Sequence, residues 1–136
     1  MTKQRVLILC TGNSARSQMA EGILRHIAGD RFEVESAGVA PSDVRAEAVD
    51  AMREIGIDIS SHRSKSLVEF RDQYFDYIIT VCDNAKESCP VFPGKAIRIH
   101  WSFEDPAAVI GDEEARLTAF RNVRDLIQFH LEQFAK

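Results

Sequence analysis

No apolar run in the chain approaches the roughly 18 residues that a membrane span requires. The opening residues Met1-Thr2-Lys3-Gln4-Arg5 lead into a strand-length segment without an A-x-A-like cleavage site. A cytoplasmic protein with no membrane partner is expected. Cysteine is scarce: Cys10, Cys82 and Cys89 are an odd number and too few for a disulfide scaffold, so in a reducing compartment they are unbridged thiols, catalytic groups or metal ligands. Excess positive charge is missing as well. With 17 Lys and Arg against 21 Asp and Glu, the net charge of -4 and the absence of a basic cluster argue against a nucleic-acid partner. There are no repeats or low-complexity segments, and 45% hydrophobic with 28% charged residues excludes a disordered or fibrous chain. A length of 136 residues suits one core and not two, so a single domain over residues 1–136 is expected, as a monomer.

What the chain does contain is an alternation of two periods. Arg5 to Cys10 is almost continuously apolar, as suits a strand covered on both faces of a parallel sheet. Met19, Ala20, Ile23, Leu24, Ile27 and Ala28 then recur at three and four residues and predict a helix. Phe32, Val34 and Ser36 alternate with Glu33 and Glu35 in a second strand that leaves through Gly38 and Pro41. Ala46, Val49, Met52 and Ile55 predict a second helix ended by Gly56, followed by a polar loop from Asp58 to Lys65. Asp76 to Val81 and Ala96 to Trp101 predict strands three and four. Leu117, Phe120, Val123, Ile127, Leu131 and Phe134 mark a final helix starting near Asp112. Strands joined by helical crossovers predict an α/β fold, an open four-stranded parallel sheet with helices on both faces. Ligands of such sheets bind beyond the carboxyl ends of the strands, where strand order reverses. Cys10, Cys82 and Asp105 each follow a strand and are expected on that one edge.

The stretch Cys10-Thr11-Gly12-Asn13-Ser14-Ala15-Arg16-Ser17 is the densest in chemistry. A loop entering a helix N-terminus exposes unpaired backbone N–H groups and the positive end of the helix dipole, a site for a tetrahedral oxyanion. Gly12 lets the backbone turn, Asn13 and Ser14 tolerate unusual dihedrals, and Arg16 can clamp two oxygens bidentately. The same field is expected to lower the Cys10 thiol to a pKa of roughly 3.5–7.5 from about 8.5, making it a nucleophile at neutral pH. The Ser17 hydroxyl is placed to donate to that sulfur. The plainer alternative is a buried cysteine and an arginine in a surface ion pair. A zinc site is another reading of three cysteines, but no CxxC pair supports it. His62 is loop-borne; His26, His100 and His130 lie in predicted helices or strands, and none is assigned to catalysis.

The pattern C-x5-R-S between a buried strand and a helix resembles the cysteine-based phosphatase signature. With Gln18-Met19-Ala20-Glu21-Gly22 after it and Ser36-Ala37-Gly38 further on, nearly the whole chain resembles the low-molecular-weight protein tyrosine phosphatase superfamily. Within it, Thr80-Val81-Cys82-Asp83-Asn84-Ala85-Lys86-Glu87-Ser88-Cys89-Pro90 and His100-Trp101-Ser102-Phe103-Glu104-Asp105-Pro106-Ala107 look like the thioredoxin-coupled arsenate reductases.

That resemblance implies a catalytic set of Cys10, Cys82, Cys89, Arg16, Ser17 and Asp105. Thr11, Gly12, Asn13, Ser14, Ala15 and Arg16 would hold arsenate, with phosphate or sulfate as competitors. It implies a thiol relay from Cys10 to Cys82 to Cys89, Asp105 as general acid, thioredoxin as electron donor and no bound cofactor. The alternative is a phosphatase acting on aryl phosphates; a third reading is an idle anion-binding or redox-sensing module. Two departures stand out. Ala15 replaces a cysteine that phosphatases of the superfamily often carry, leaving Cys82 as the resolving thiol. Some of these reductases bind potassium through residues matching Asn13, Glu21, Ser36, Arg63 and Lys65; here two of those are cationic, and the Lys65 ammonium is expected beside Glu21 in the ion's place.

Overall fold

The computed structural model describes residues 3–83 and 92–136. Strand β1 (Gln4–Cys10) is followed by helix α1 (Arg16–Ala28), strand β2 (Phe32–Gly38), helix α2 (Ala46–Arg53), strands β3 (Tyr77–Thr80) and β4 (Ile97–His100), and helix α3 (Glu113–Phe134). Short 3-10 turns occupy Leu67–Phe70 and Pro106–Ala108. The strands pair in parallel in the order β2-β1-β3-β4. The apolar run of β1 explains its central place. Val6, Leu7, Ile8 and Leu9 are consecutive and all fully buried, and successive side chains point to opposite faces, so both faces of the sheet are covered at its centre.

The chain moves from β1 outward to β2, then crosses back over β1 to β3, so the strand order reverses between β1 and β3. The register Leu9↔Thr80 brings the carboxyl ends of these two strands level, with Cys10 closing β1 and Cys82 two residues past β3. Both thiols therefore stand at the reversal point.

Helix α3 packs against α1 and α2 and buries Phe120, Val123, Ile127 and Leu131 of its apolar stripe. Asp112 caps it, Oδ1 accepting from the Ala115 N–H at 2.8 Å. The second helix is shorter than its apolar spacing suggests: regular turns stop at Arg53, Ile55 lies in the exit, and Gly56 turns the chain at φ +79°. The exit of β2 is more ordered than a plain loop, since Gly38 forms an isolated parallel bridge with Ser66.

Candidate active site

Residues 10–16 form the connection from β1 to α1. Every carbonyl from Cys10 to Ala15 is engaged. Those of Cys10, Thr11, Gly12 and Ser14 accept from the backbone N–H groups of Val39, Ala40, Ser42 and Arg45 at 3.2, 2.9, 3.0 and 2.9 Å. The Asn13 carbonyl accepts from Gln18 Nε2 at 3.1 Å and that of Ala15 from the Met19 N–H at 2.9 Å, while Ser64 Oγ adds a second bond to Gly12. A loop whose carbonyls are all pinned to its surroundings presents its N–H groups elsewhere, toward the concave side. Ala15 supplies no side-chain cap to α1, unlike Asp112 at α3, so the first-turn N–H groups of α1 remain donors for an anion.

Asn13 is what lets the loop turn. It is the one described non-glycine residue at positive φ (+49°), and it is fully buried. Its Nδ2 donates to Ser17 Oγ at 2.8 Å and Ser36 Oγ at 2.9 Å, and its Oδ1 accepts from Gln18 Nε2 at 2.9 Å and the Lys65 N–H at 2.8 Å. All four of its side-chain bonding positions are used. Gly38 supplies the clearance, because a Cβ there would stand 2.5 Å from the Thr11 carbonyl oxygen.

A cavity of about 210 Å³ opens over this loop, lined by Cys10, Thr11, Gly12, Ser14, Ala15, Arg16, Arg45, Asp105 and Ala107. The loop, Arg16 and Asp105 are thus brought together as expected. Arg45, which sequence reasoning missed, joins them through its backbone bond to Ser14. Arg16 is mostly buried, Nη1 donating to the Phe103 carbonyl at 3.0 Å and Nη2 lying 4.0 Å from Asp105 Oδ2. Asp105 is half-exposed and accepts from the Ala107 N–H at 3.0 Å, which fixes its carboxylate at the cavity mouth. A larger depression of about 610 Å³ lies around Arg5, Tyr74, Phe75 and Lys95, at the other end of the strands, and no cysteine lines it.

Cys82 is buried, hydrogen-bonded to Cys10, and 3.2 Å from Thr11 Oγ1. Neither thiol is in a disulfide. This corrects the expectation of a thiol lowered by the loop alone. The hydrogen bond to Cys82 and burial push the Cys10 thiol up, against the opposing pull of Arg16 and of the Thr11 N–H. Two sulfurs in contact do not both ionise readily, so the positive field of the loop acts on the pair and the first proton lost belongs to both. Ser17 also differs from expectation. Its Oγ accepts from Asn13, and among the described residues it makes no hydrogen bond to Cys10. Cys89 lies outside the described residues.

Behind the loop, Glu21 is buried in α1. Its Oε1 accepts from Ser36 Oγ at 2.6 Å and from Lys65 Nζ at 3.3 Å, and Oε2 pairs with Arg25 at 3.0 Å. Arg63 turns outward to Glu69 at 2.7 Å, so of the two cationic side chains only Lys65 enters. These residues do not fit a potassium ion, since the buried Lys65 ammonium already stands on the carboxylate and a second cation would meet like charge. His62 is largely buried, with Nδ1 2.9 Å from Gln18 Oε1. Gln18 therefore ties His62, the Arg63 carbonyl and Asn13 into one support. Gln18 stands in the run that follows the loop arginine, but its role shows only in three dimensions.

A cysteine at the head of a tightly pinned loop between the first strand and helix of a parallel β2-β1-β3-β4 sheet defines a class of protein. The chain belongs to the low molecular weight phosphotyrosine protein phosphatase family, whose model matches residues 5–136. It is 43% identical over 136 residues to an arsenate reductase of Halalkalibacterium halodurans, covering 100% of this chain and 98% of that protein. Among solved structures, an arsenate reductase in the phosphate binding state matches with a TM-score of 0.79 at 31% identity, over 97% of this chain and 96% of that one. A thioredoxin-dependent arsenate reductase of Corynebacterium glutamicum matches with a TM-score of 0.72 at 27% identity, over 97% of this chain and 60% of that one.

Proposed function

We propose that this chain reduces arsenate to arsenite and is regenerated by thioredoxin, with residues 1–136 acting as one monomeric domain in the cytoplasm. The observation that carries the reading is the second thiol, Cys82, held against Cys10 and Thr11. Hydrolysis of a phosphate ester needs no such partner.

In this mechanism the loop N–H groups and Arg16 hold the tetrahedral oxyanion, for which phosphate and sulfate compete. Cys10 attacks arsenic as a thiolate while Asp105 protonates the departing oxygen; water leaves and a sulfur–arsenic bond forms. The Cys82 thiolate then attacks the Cys10 sulfur. The sulfur–arsenic bond breaks with its electron pair remaining on arsenic, which passes from five- to three-valent and leaves as arsenite, and a Cys10–Cys82 disulfide results. Cys89 attacks Cys82 next, restoring the Cys10 thiolate, and the thioredoxin dithiol reduces the Cys82–Cys89 disulfide. The two thiols supply both electrons, so the balance is complete without a flavin or nicotinamide on the protein. The Cys89 and thioredoxin steps draw on the resemblance and on the similarity to the C. glutamicum enzyme.

The test is a coupled assay with thioredoxin, thioredoxin reductase and NADPH. Arsenate-dependent NADPH consumption is expected, and it should vanish in Cys10→Ser. No such consumption alongside robust aryl-phosphate hydrolysis would leave the phosphatase reading, which the family description favours. Equal turnover by wild type and Cys10→Ser would remove Cys10 from the chemistry.

A further inference from the structure

His100 closes β4 opposite Thr80 of β3, and its ring bridges two residues that flank Cys82 in the chain. Nδ1 lies 2.7 Å from Thr80 Oγ1, and Nε2 lies 2.9 Å from Asp83 Oδ1. A carboxylate only accepts, so Nε2 carries the proton, and in the neutral ring the Thr80 hydroxyl donates to Nδ1. Protonation of the ring strengthens the Asp83 contact and merely reverses the Thr80 one. The bracket holds in either state. Below it the β4 side extends the pairing past the strand ends, Trp101 N–H donating to Thr80 O at 2.9 Å and Phe103 N–H to Val81 O at 3.4 Å. Thr80 is buried and His100 largely so, which keeps the lower bond out of water, while Asp83 is exposed.

We propose that His100 is a positioning residue for the resolving thiol: through Thr80 and Asp83 it fixes the backbone on both sides of Cys82 and so sets the line along which that sulfur reaches Cys10. The inference rests on the relay reading of Cys82. In that step the Cys82 thiolate forms a bond to the Cys10 sulfur as the sulfur–arsenic bond breaks toward arsenic. Such a displacement requires the reacting atoms about 3–3.5 Å apart and aligned. Among the described residues, the bracket makes no hydrogen bond to Cys10 or Arg16. Its loss should therefore spare the first step, which uses Cys10, Arg16 and Asp105, and slow the second.

The two steps can be read separately. Pre-reduced enzyme, stripped of reductant, is mixed with arsenate and the arsenite of the first turnover is timed by quenching; hydrolysis of p-nitrophenyl phosphate by the same samples reports the attack by Cys10 without the step in which Cys82 attacks it. Wild type should release one equivalent. His100→Phe keeps a flat ring without hydrogen bonds and should slow release about tenfold, a part of the hundredfold that a 1 Å misplacement can cost, with hydrolysis within about twofold of wild type. His100→Asn, which can still donate and accept, should recover part of the loss. Asp83→Ala alters an exposed side chain, so it tests the bracket even if His100→Phe does not fold. It should slow release in the same direction, and adding it to His100→Phe should slow release no further. Unchanged release in both single variants, or release and hydrolysis falling together, would overturn the inference. No arsenite from wild type would instead overturn the relay reading beneath it.

Discussion

Cys10 and Cys82 are far apart in sequence yet share one hydrogen bond, and the roles proposed for them can be told apart by single substitutions. Cys82→Ser should stall with arsenic still on Cys10, whereas Cys89→Ser should release one equivalent of arsenite and stop as a Cys10–Cys82 disulfide. Mass spectrometry of the trapped proteins distinguishes the two. Asp105→Asn keeps the bond to the Ala107 N–H but cannot donate the proton, so turnover should fall about 10²–10⁴-fold with little change in melting temperature. An Asp105→Asn enzyme as fast as wild type would remove Asp105 as the acid. The placement of Cys10, Cys82 and Asp105 on one edge was legible in the sequence because each follows a strand whose apolar run fixes where it ends. Arg45 was not. It reaches the cavity through the pairing of its N–H with the Ser14 carbonyl, and no spacing in the chain announces that contact. The raised Cys10 thiol was equally hidden, because it depends on a second sulfur brought in from another strand.

At the scale of elements, the exit of β2 does as much for the loop as the loop's own residues. The N–H groups of Val39, Ala40, Ser42 and Arg45 pin its carbonyls, and Gly38 lets the two segments touch. Gly38→Ala would force a Cβ against the Thr11 carbonyl and push the loop outward. Its melting temperature should drop modestly and kcat/KM for arsenate should fall at least about tenfold, since the donors would no longer converge on one oxyanion. A variant with wild-type kcat/KM would show that the close approach is dispensable. The alternation of strands and helices gave this architecture readily. The short second helix and the Gly38–Ser66 bridge did not show, because apolar spacing continues through Ile55 whether or not the backbone does, and a bridge depends on tertiary approach.

At the scale of the molecule, buried polar groups beneath the loop make stability depend on pH. Burial lowers the pKa of His62 from its usual 6.5, with Glu21 partly opposing, so the unfolded chain binds more protons than the native one just below neutrality. The stability from this site is complete above about pH 6.5 and is lost as the pH falls through the lower native value. Thermal melts should therefore shift downward between pH 7 and pH 5, and His62→Gln should flatten part of that slope; an identical slope in the variant would assign the effect to other groups. The Lys65–Glu21 contact carries a different consequence. A metal ion at such a place obeys mass action and leaves when the medium is poor in it, but an ammonium tethered to the backbone stays bound at every dilution. Turnover should then be the same in sodium, potassium or tetramethylammonium chloride at equal ionic strength, and Lys65→Ala should turn an enzyme indifferent to its electrolyte into one that senses which cation surrounds it.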